Sequence, residues 1–198
     1  HSHDLFEKEA LDFIRKNIDN TSGQNNGIRS YTLYWVLSLL DYYNYTGDTA
    51  TMTKYVTNAC AKLDDAYKVF GTNPNLRFYG WDERLCAGFE IWFRPSPEAQ
   101  NAYKMLTIRA WRDFAAAMGN LGRTDLQDKY SGYASSKIAD LRKTPGWYSS
   151  FGLHAAADAM TTGLLDGAEQ DALFAKHFRD RVNRISLTPF NQYFILQA

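Results

Sequence analysis

The chain has no surplus of charge: Lys+Arg 22 against Asp+Glu 22 leaves a formal net charge of zero over 198 residues. Without a Lys/Arg run it presents no electrostatic footprint for DNA, RNA or an anionic membrane surface, so neither nucleic acid nor membrane is expected as a partner. Cysteine is scarce. Cys60 and Cys86 lack CxxC spacing and a neighbouring histidine, which argues against metal or thiol chemistry and leaves their pairing open. No uninterrupted apolar run reaches membrane-spanning length. No leader pattern opens the sequence, and the compartment stays undetermined. Glycine-rich phosphate loops, HExxH and GxSxG are missing, which weighs against phosphoryl transfer, zinc proteolysis and serine hydrolysis. Strand-like alternation is nearly absent as well. No cofactor and no metal are expected.

Helical periodicity and aromatic side chains fill the space these absences leave. Apolar residues make up 45% of the chain and aromatics 15%, with 13 Tyr, 12 Phe and 5 Trp. That suffices for one domain over 1–198 with a substantial core, and flat aromatic surfaces also suit the C–H faces of sugars. The pattern predicts helices near 4–17, 30–46, 49–70, 97–118, 124–141, 151–165, 167–178 and from 190 onward. Gly47-Asp48 reads as a stop followed by an N-cap. Ser96-Pro97-Glu98 is a helix start, and Thr124/Gln127 and Asp166/Glu169 have capping-box spacing.

Two alternations run through this series. Apolar helices (30–46, 97–118, 151–165, from 190) alternate with amphipathic ones, and short joints alternate with long ones. In an up-and-down array the long loops share one face, where function usually resides. The Ala116–Tyr130 corner has a tetratricopeptide look, but apolar helices starting near 30, 97 and 151 miss the ~34-residue period of that repeat. An all-α partial (α/α)6 toroid of alternating inner and outer helices, about eight in number, accounts for both alternations. On this reading the chain is part of a larger ring, and the remainder of the parent polypeptide covers its apolar flanks.

Candidate chemistry concentrates in the long stretch 71–96. Trp81, Asp82, Glu83, Arg84 and Trp92 place aromatic platforms beside acids and arginines. Glycoside hydrolysis needs one carboxyl group to protonate the leaving oxygen and another to activate water or attack. Adjacent Asp82 and Glu83 diverge, so at most one is catalytic; Glu83 is the candidate, with the others binding substrate. His154, at the start of an apolar helix, either binds a sugar hydroxyl or lies buried against a backbone carbonyl. Asn191 either lines the funnel or caps its helix. Asp41 and Asp158, inside helices, read as structural.

Three segments together resemble the six-hairpin catalytic domain of bacterial α-L-rhamnosidases: Tyr31–Asp48 with its Tyr45-Thr46-Gly47-Asp48 ending, Phe78–Asp82, and Ser186–Phe194. The resemblance implies an (α/α)6 fold and inverting hydrolysis of a terminal rhamnoside or similar sugar, in a periplasmic or extracellular setting. It implies that Trp81 belongs to the substrate pocket and Asp82 to a neighbouring sugar contact. The family's general acid lies in an Arg-Asp-Glu stretch upstream of the aromatic helix, and its general base lies far downstream. Neither maps onto this sequence, so the chain is expected to hold pocket wall without the catalytic pair, and to be inactive alone. Another toroid glycosidase, a polysaccharide lyase, or a noncatalytic carbohydrate-binding or scaffold module are the alternatives.

Overall fold

The computed structural model describes residues 2–23, 28–72, 97–180 and 189–198, and the regular structure within them is entirely helical. Eight helices follow in order: α1 (Ser2–Thr21), α2 (Arg29–Thr46), α3 (Thr49–Val69), α4 (Pro97–Asn120), α5 (Thr124–Arg142), α6 (Leu153–Thr161), α7 (Gly167–His177) and α8 (Pro189–Leu196). The protein is all-α, as its periodicity predicts.

Local chemistry sets most of the boundaries. Gly47 ends α2 in the left-handed region (φ 68°) with its N–H on the Tyr43 carbonyl, and the Asp48 side chain then accepts from the Thr51 N–H to open α3. Asp166 and Glu169 close a reciprocal capping box on α7, which satisfies two of the donors a helix start leaves unpaired. Two expectations need correction. Thr124 is not an N-cap: Arg123 occupies that position without a side-chain cap bond, and Gln127 instead lies across Gly119 of α4, where an added Cβ would come within 2.7 Å of its amide. The helix expected over 151–165 is shorter, because Phe151 and Gly152 lie outside it and Gly163 takes φ 62° beyond its end. Ser96 and Cys86 lie outside the described residues.

The helices form two layers. α2, α4 and α6 supply most of the buried side chains, as largely apolar helices should, while Ser38, Asp41 and Tyr45 of α2 and Arg112, Asp113 and Ala116 of α4 stay exposed. α4 packs against both α2 and α6, and α6 against α8. The amphipathic helices lie outside, α1 on α2, α3 on α2 and α4, α5 on α4, and α7 on α6. Side-chain pairs give the directions. Outer helices run parallel to one another: Lys54 with Asp19 and Asn58 with the Ser22 carbonyl join α3 to α1, while Lys129 with Asp64 and Tyr133 stacked on Tyr67 join α5 to α3. Trp35 Nε1 donating to the Ile18 carbonyl and Tyr45 donating to Glu7 make α2 antiparallel to α1. The core runs between the layers through Leu33, Leu39, Met52, Leu63, Trp111, Phe114 and Tyr130, all essentially inaccessible. Each of the aliphatic side chains contributes roughly 1.5–3 kcal/mol by leaving water.

The last helix returns to the first apolar one. Tyr34 meets Phe190 edge-on at 4.9 Å and Phe194 at 5.4 Å between ring centroids, and Tyr193 donates to Asp41 over 3.1 Å. α8 thereby touches α2 as well as α6. Phe13 and Ile14 of α1, Tyr45 of α2, and Tyr193 and Leu196 of α8 remain exposed.

At the end of α7, His177 Nε2 lies 2.8 Å from the Phe151 carbonyl. Burial pushes its pKa below the ordinary histidine value, and Lys176 adds to this against the pull of that carbonyl. A depressed histidine pKa favours the neutral ring in the folded state. As pH falls through about 6.5, the unfolded chain takes up the proton first and stability drops, levelling off below the folded pKa. His177→Asn is therefore expected to flatten the stability profile between about pH 7.5 and 5.5. Denaturant midpoints across that range, compared with wild type, provide the check.

Candidate functional site

All long connections lead from an amphipathic helix into an apolar one, so they emerge on one face. The described residues there are the ends of α1, α3, α5 and α7, the starts of α2, α4, α6 and α8, and the 143–152 segment. Its organising group is Glu98, in the first turn of α4. Its carboxylate accepts the backbone N–H groups of Gly152, His154 and Ala155, the last two over 3.0 and 3.1 Å. One acid on α4 thus caps α6 from outside its own chain segment, placing negative charge where the helix dipole is positive. Asn101, one turn further along α4, donates to the carbonyl and the hydroxyl of Ser150.

Beside this junction lies a cleft of about 350 Å³ whose lining includes Phe70, Asn101, Lys104, Lys137, Trp147 and Phe151. Trp147 is fixed from behind: its Nε1 donates to Glu169 over 3.0 Å, and Arg142, paired with Glu169 at 2.7 Å, sits 5.4 Å from its ring. Lys137 stands 4.6 Å from the Tyr67 centroid. Held aromatic edges, an amide and two ammonium groups within one cleft suit a polyhydroxylated ligand, which needs both apolar contact and directional polar groups.

Trp81, Asp82, Glu83, Arg84 and Trp92 lie outside the described residues. The ends between which they fall are described: Phe70 and Gly71 line the cleft, and Pro97 starts the helix that carries Glu98. His154 and Asn191 occupy the first turns of the neighbouring helices α6 and α8 and are enclosed by protein, at 6% and 0% exposure. Asn101, Lys104, Lys137 and Trp147 join the candidate site only in the structure. Trp147 had a usable signal, an aromatic in a Pro-Gly turn on the long-loop face. The others belong to helices whose rotation only tertiary packing fixes.

A second polar cluster lies deeper between the apolar helices. Arg109 of α4 meets the fully buried Asp158 of α6 at 3.3 Å and Asp113 at 3.6 Å, donates to Gln197 over 2.5 Å, and lies 5.6 Å from the Phe194 ring. Packing strips water from the carboxyl groups of Asp113 and Asp41 and pushes both above the usual range, with Arg109 pulling each back. One guanidinium therefore ties together α4, α6 and α8, which makes its first role structural. Among the described residues, no group of three or more His, Cys, Asp or Glu side chains is placed to hold a metal ion, and no helix is long and apolar enough to cross a membrane. No family model, curated protein or solved structure matches the chain.

Proposed function

We propose that this chain is part of a glycoside hydrolase resembling inverting α-L-rhamnosidases, that its two helical layers belong to an (α/α)6 toroid, and that its long-loop face forms wall of the sugar pocket. One observation carries the reading. The segment bearing Trp81, Asp82, Glu83 and Arg84 departs from and returns to the face that holds the Phe70–Trp147 cleft. Trp81 serves as stacking platform, Asp82 and Arg84 as hydroxyl ligands, Trp92 as a second platform, and Glu83 as the one candidate carboxyl for proton transfer. His154 and Asn191, enclosed at the helix starts, belong to the frame beneath.

The test is binding of L-rhamnose by calorimetry, together with turnover of an aryl rhamnoside. Trp81→Ala should weaken rhamnose binding at least tenfold, about 1.4 kcal/mol, while the chain by itself turns over feebly or not at all. Unchanged affinity in Trp81→Ala retires the sugar pocket. Robust turnover abolished by Glu83→Gln assigns the catalytic carboxyl to this segment.

The contact of α8 with α2 favours a second reading, a noncatalytic carbohydrate-binding module in which four hairpins close on themselves. A complete toroid would insert further hairpins between α8 and α2 and separate Tyr34 from Phe190. Sugar binding without turnover in the full-length parent, lost in Trp81→Ala, selects this module.

A further inference from the structure

A different cleft, of about 450 Å³, opens on the side of the molecule between α1, α2 and α8. Helical spacing builds its walls. Glu7, Ala10, Leu11 and Ile14 share one face of α1, and Ser38, Asp41, Tyr42 and Tyr45 share one face of α2; Tyr193 of α8 completes the lining. The sugar-pocket reading gives none of these residues a role, although Ser38, Asp41, Tyr42, Tyr45 and Tyr193 fall within the segments that carry the resemblance.

The chemistry of the lining is selective. Two carboxylates, Glu7 and Asp41, are each held by a phenol: Tyr45 donates to Glu7, and Tyr193 donates to Asp41 over 3.1 Å. Those two tyrosines are also among the most exposed large aromatics of the chain, at 67% and 49%. No Lys, Arg or His is among the described residues of the lining; the Arg109 guanidinium of α4 acts on Asp41 from outside it. Tyr42 donates to Asp48 and stays buried behind them. Aromatic rings carry negative potential on their faces, and with anchored carboxylates beside them they attract a weakly hydrated cation more than a neutral molecule of the same shape. Both exposed phenols already donate to acids, so their oxygens and the carboxylates present acceptors to a ligand.

We propose that the α1/α2/α8 cleft binds organic cations of the alkylammonium class, with the Tyr45 and Tyr193 rings as walls and Glu7 and Asp41 as counter-charges. Size agrees with the chemistry, since a quaternary ammonium group fits a cleft of this volume without displacing a helix. Charge complementarity selects this occupant over an apolar peptide helix, which would not compensate the two carboxylates.

The experiment titrates the full chain with choline and, in parallel, with 3,3-dimethyl-1-butanol, its neutral isostere, following tyrosine fluorescence and calorimetric heat. Choline should bind saturably and at least tenfold more tightly than the alcohol. Glu7→Gln, on the exposed side of α1, and Tyr45→Ala should each weaken choline at least fivefold while circular dichroism stays that of the wild type. Asp41→Asn should do the same, and rhamnose binding should be unaffected by all three. Equal binding of the alcohol, no saturable binding of choline, or choline affinity unchanged in both Glu7→Gln and Asp41→Asn overturns the proposal. So does self-association of the chain that choline fails to compete with, which would give the cleft to a second copy.

Discussion

Replacing Arg109 by methionine is expected to destabilise the protein by about 3–5 kcal/mol, the cost of removing one partner from a buried ion pair. Asp158 is completely enclosed, and Arg109 is itself only 11% exposed. Methionine retains much of the apolar stem but leaves the Asp158 carboxylate without its guanidinium in a medium that solvates it poorly. The same change removes the bond to Gln197 and the contact with Phe194, so α8 should loosen along with the α4–α6 seam. Urea unfolding followed by far-ultraviolet circular dichroism gives the magnitude. Adding Asp158→Asn to Arg109→Met should recover part of the loss, because the stranded charge goes with it; the two changes are in contact and should not add. A single variant as stable as wild type would show that this pair does not hold the apolar helices together.

How this seam relates to the sequence is instructive. The apolar character of α2, α4 and α6 and the Gly47-Asp48 and Asp166–Glu169 signals are local, and local signals are legible without a structure. The layers followed from them, because a helix apolar all round has to lie between others. Arg109 and Asp158 gave no such signal. Asp158 stands alone in an apolar stretch, and Arg109 lies one turn before Arg112 and Asp113. The two are 49 residues apart, and only the parallel alignment of α4 and α6 brings them together. Asp158 was legible as structural; that its partner would be Arg109 was not. The Thr124/Gln127 spacing misled for a related reason. Capping-box residue types satisfy the pattern, yet Gln127 does better covering Gly119 of the preceding helix, a contact that exists only once α4 and α5 have packed. The candidate site divides in the same way. The aromatics of the 73–96 segment stand out in the sequence, whereas the cleft is assembled from Phe70, Asn101, Lys137 and Trp147, four residues with no shared pattern.

The second large effect should come from Glu98, and it bears on the long-loop face itself. Glu98→Ala removes the acceptor of three backbone N–H groups at the start of α6. A capping side chain is worth about 1 kcal/mol on average, and a hydrogen bond to a charged group about 1.5–3 kcal/mol. Shared among three donors, one carboxylate should contribute roughly 3 kcal/mol. Glu98→Gln should fall between wild type and alanine, since one amide oxygen still accepts while the amide hydrogens face donors. Gly152 supplies an independent check. Its φ of −91° is open to any residue, so backbone strain is not the issue; space is. A Cβ added there would lie 2.4 Å from the Glu98 carboxyl carbon. Gly152→Ala should therefore displace the carboxylate and cost about as much as Glu98→Gln. In a background already lacking the carboxylate, the same alanine should cost far less, and this non-additivity is the sign that both act through one cap. Because α6 carries His154 at this end and Asn101 ties the adjoining segment to α4, releasing the cap should weaken rhamnose binding as well as stability. Loss of stability in Glu98→Ala with sugar affinity intact would separate the cap from sugar binding and assign the binding surface wholly to the 73–96 segment.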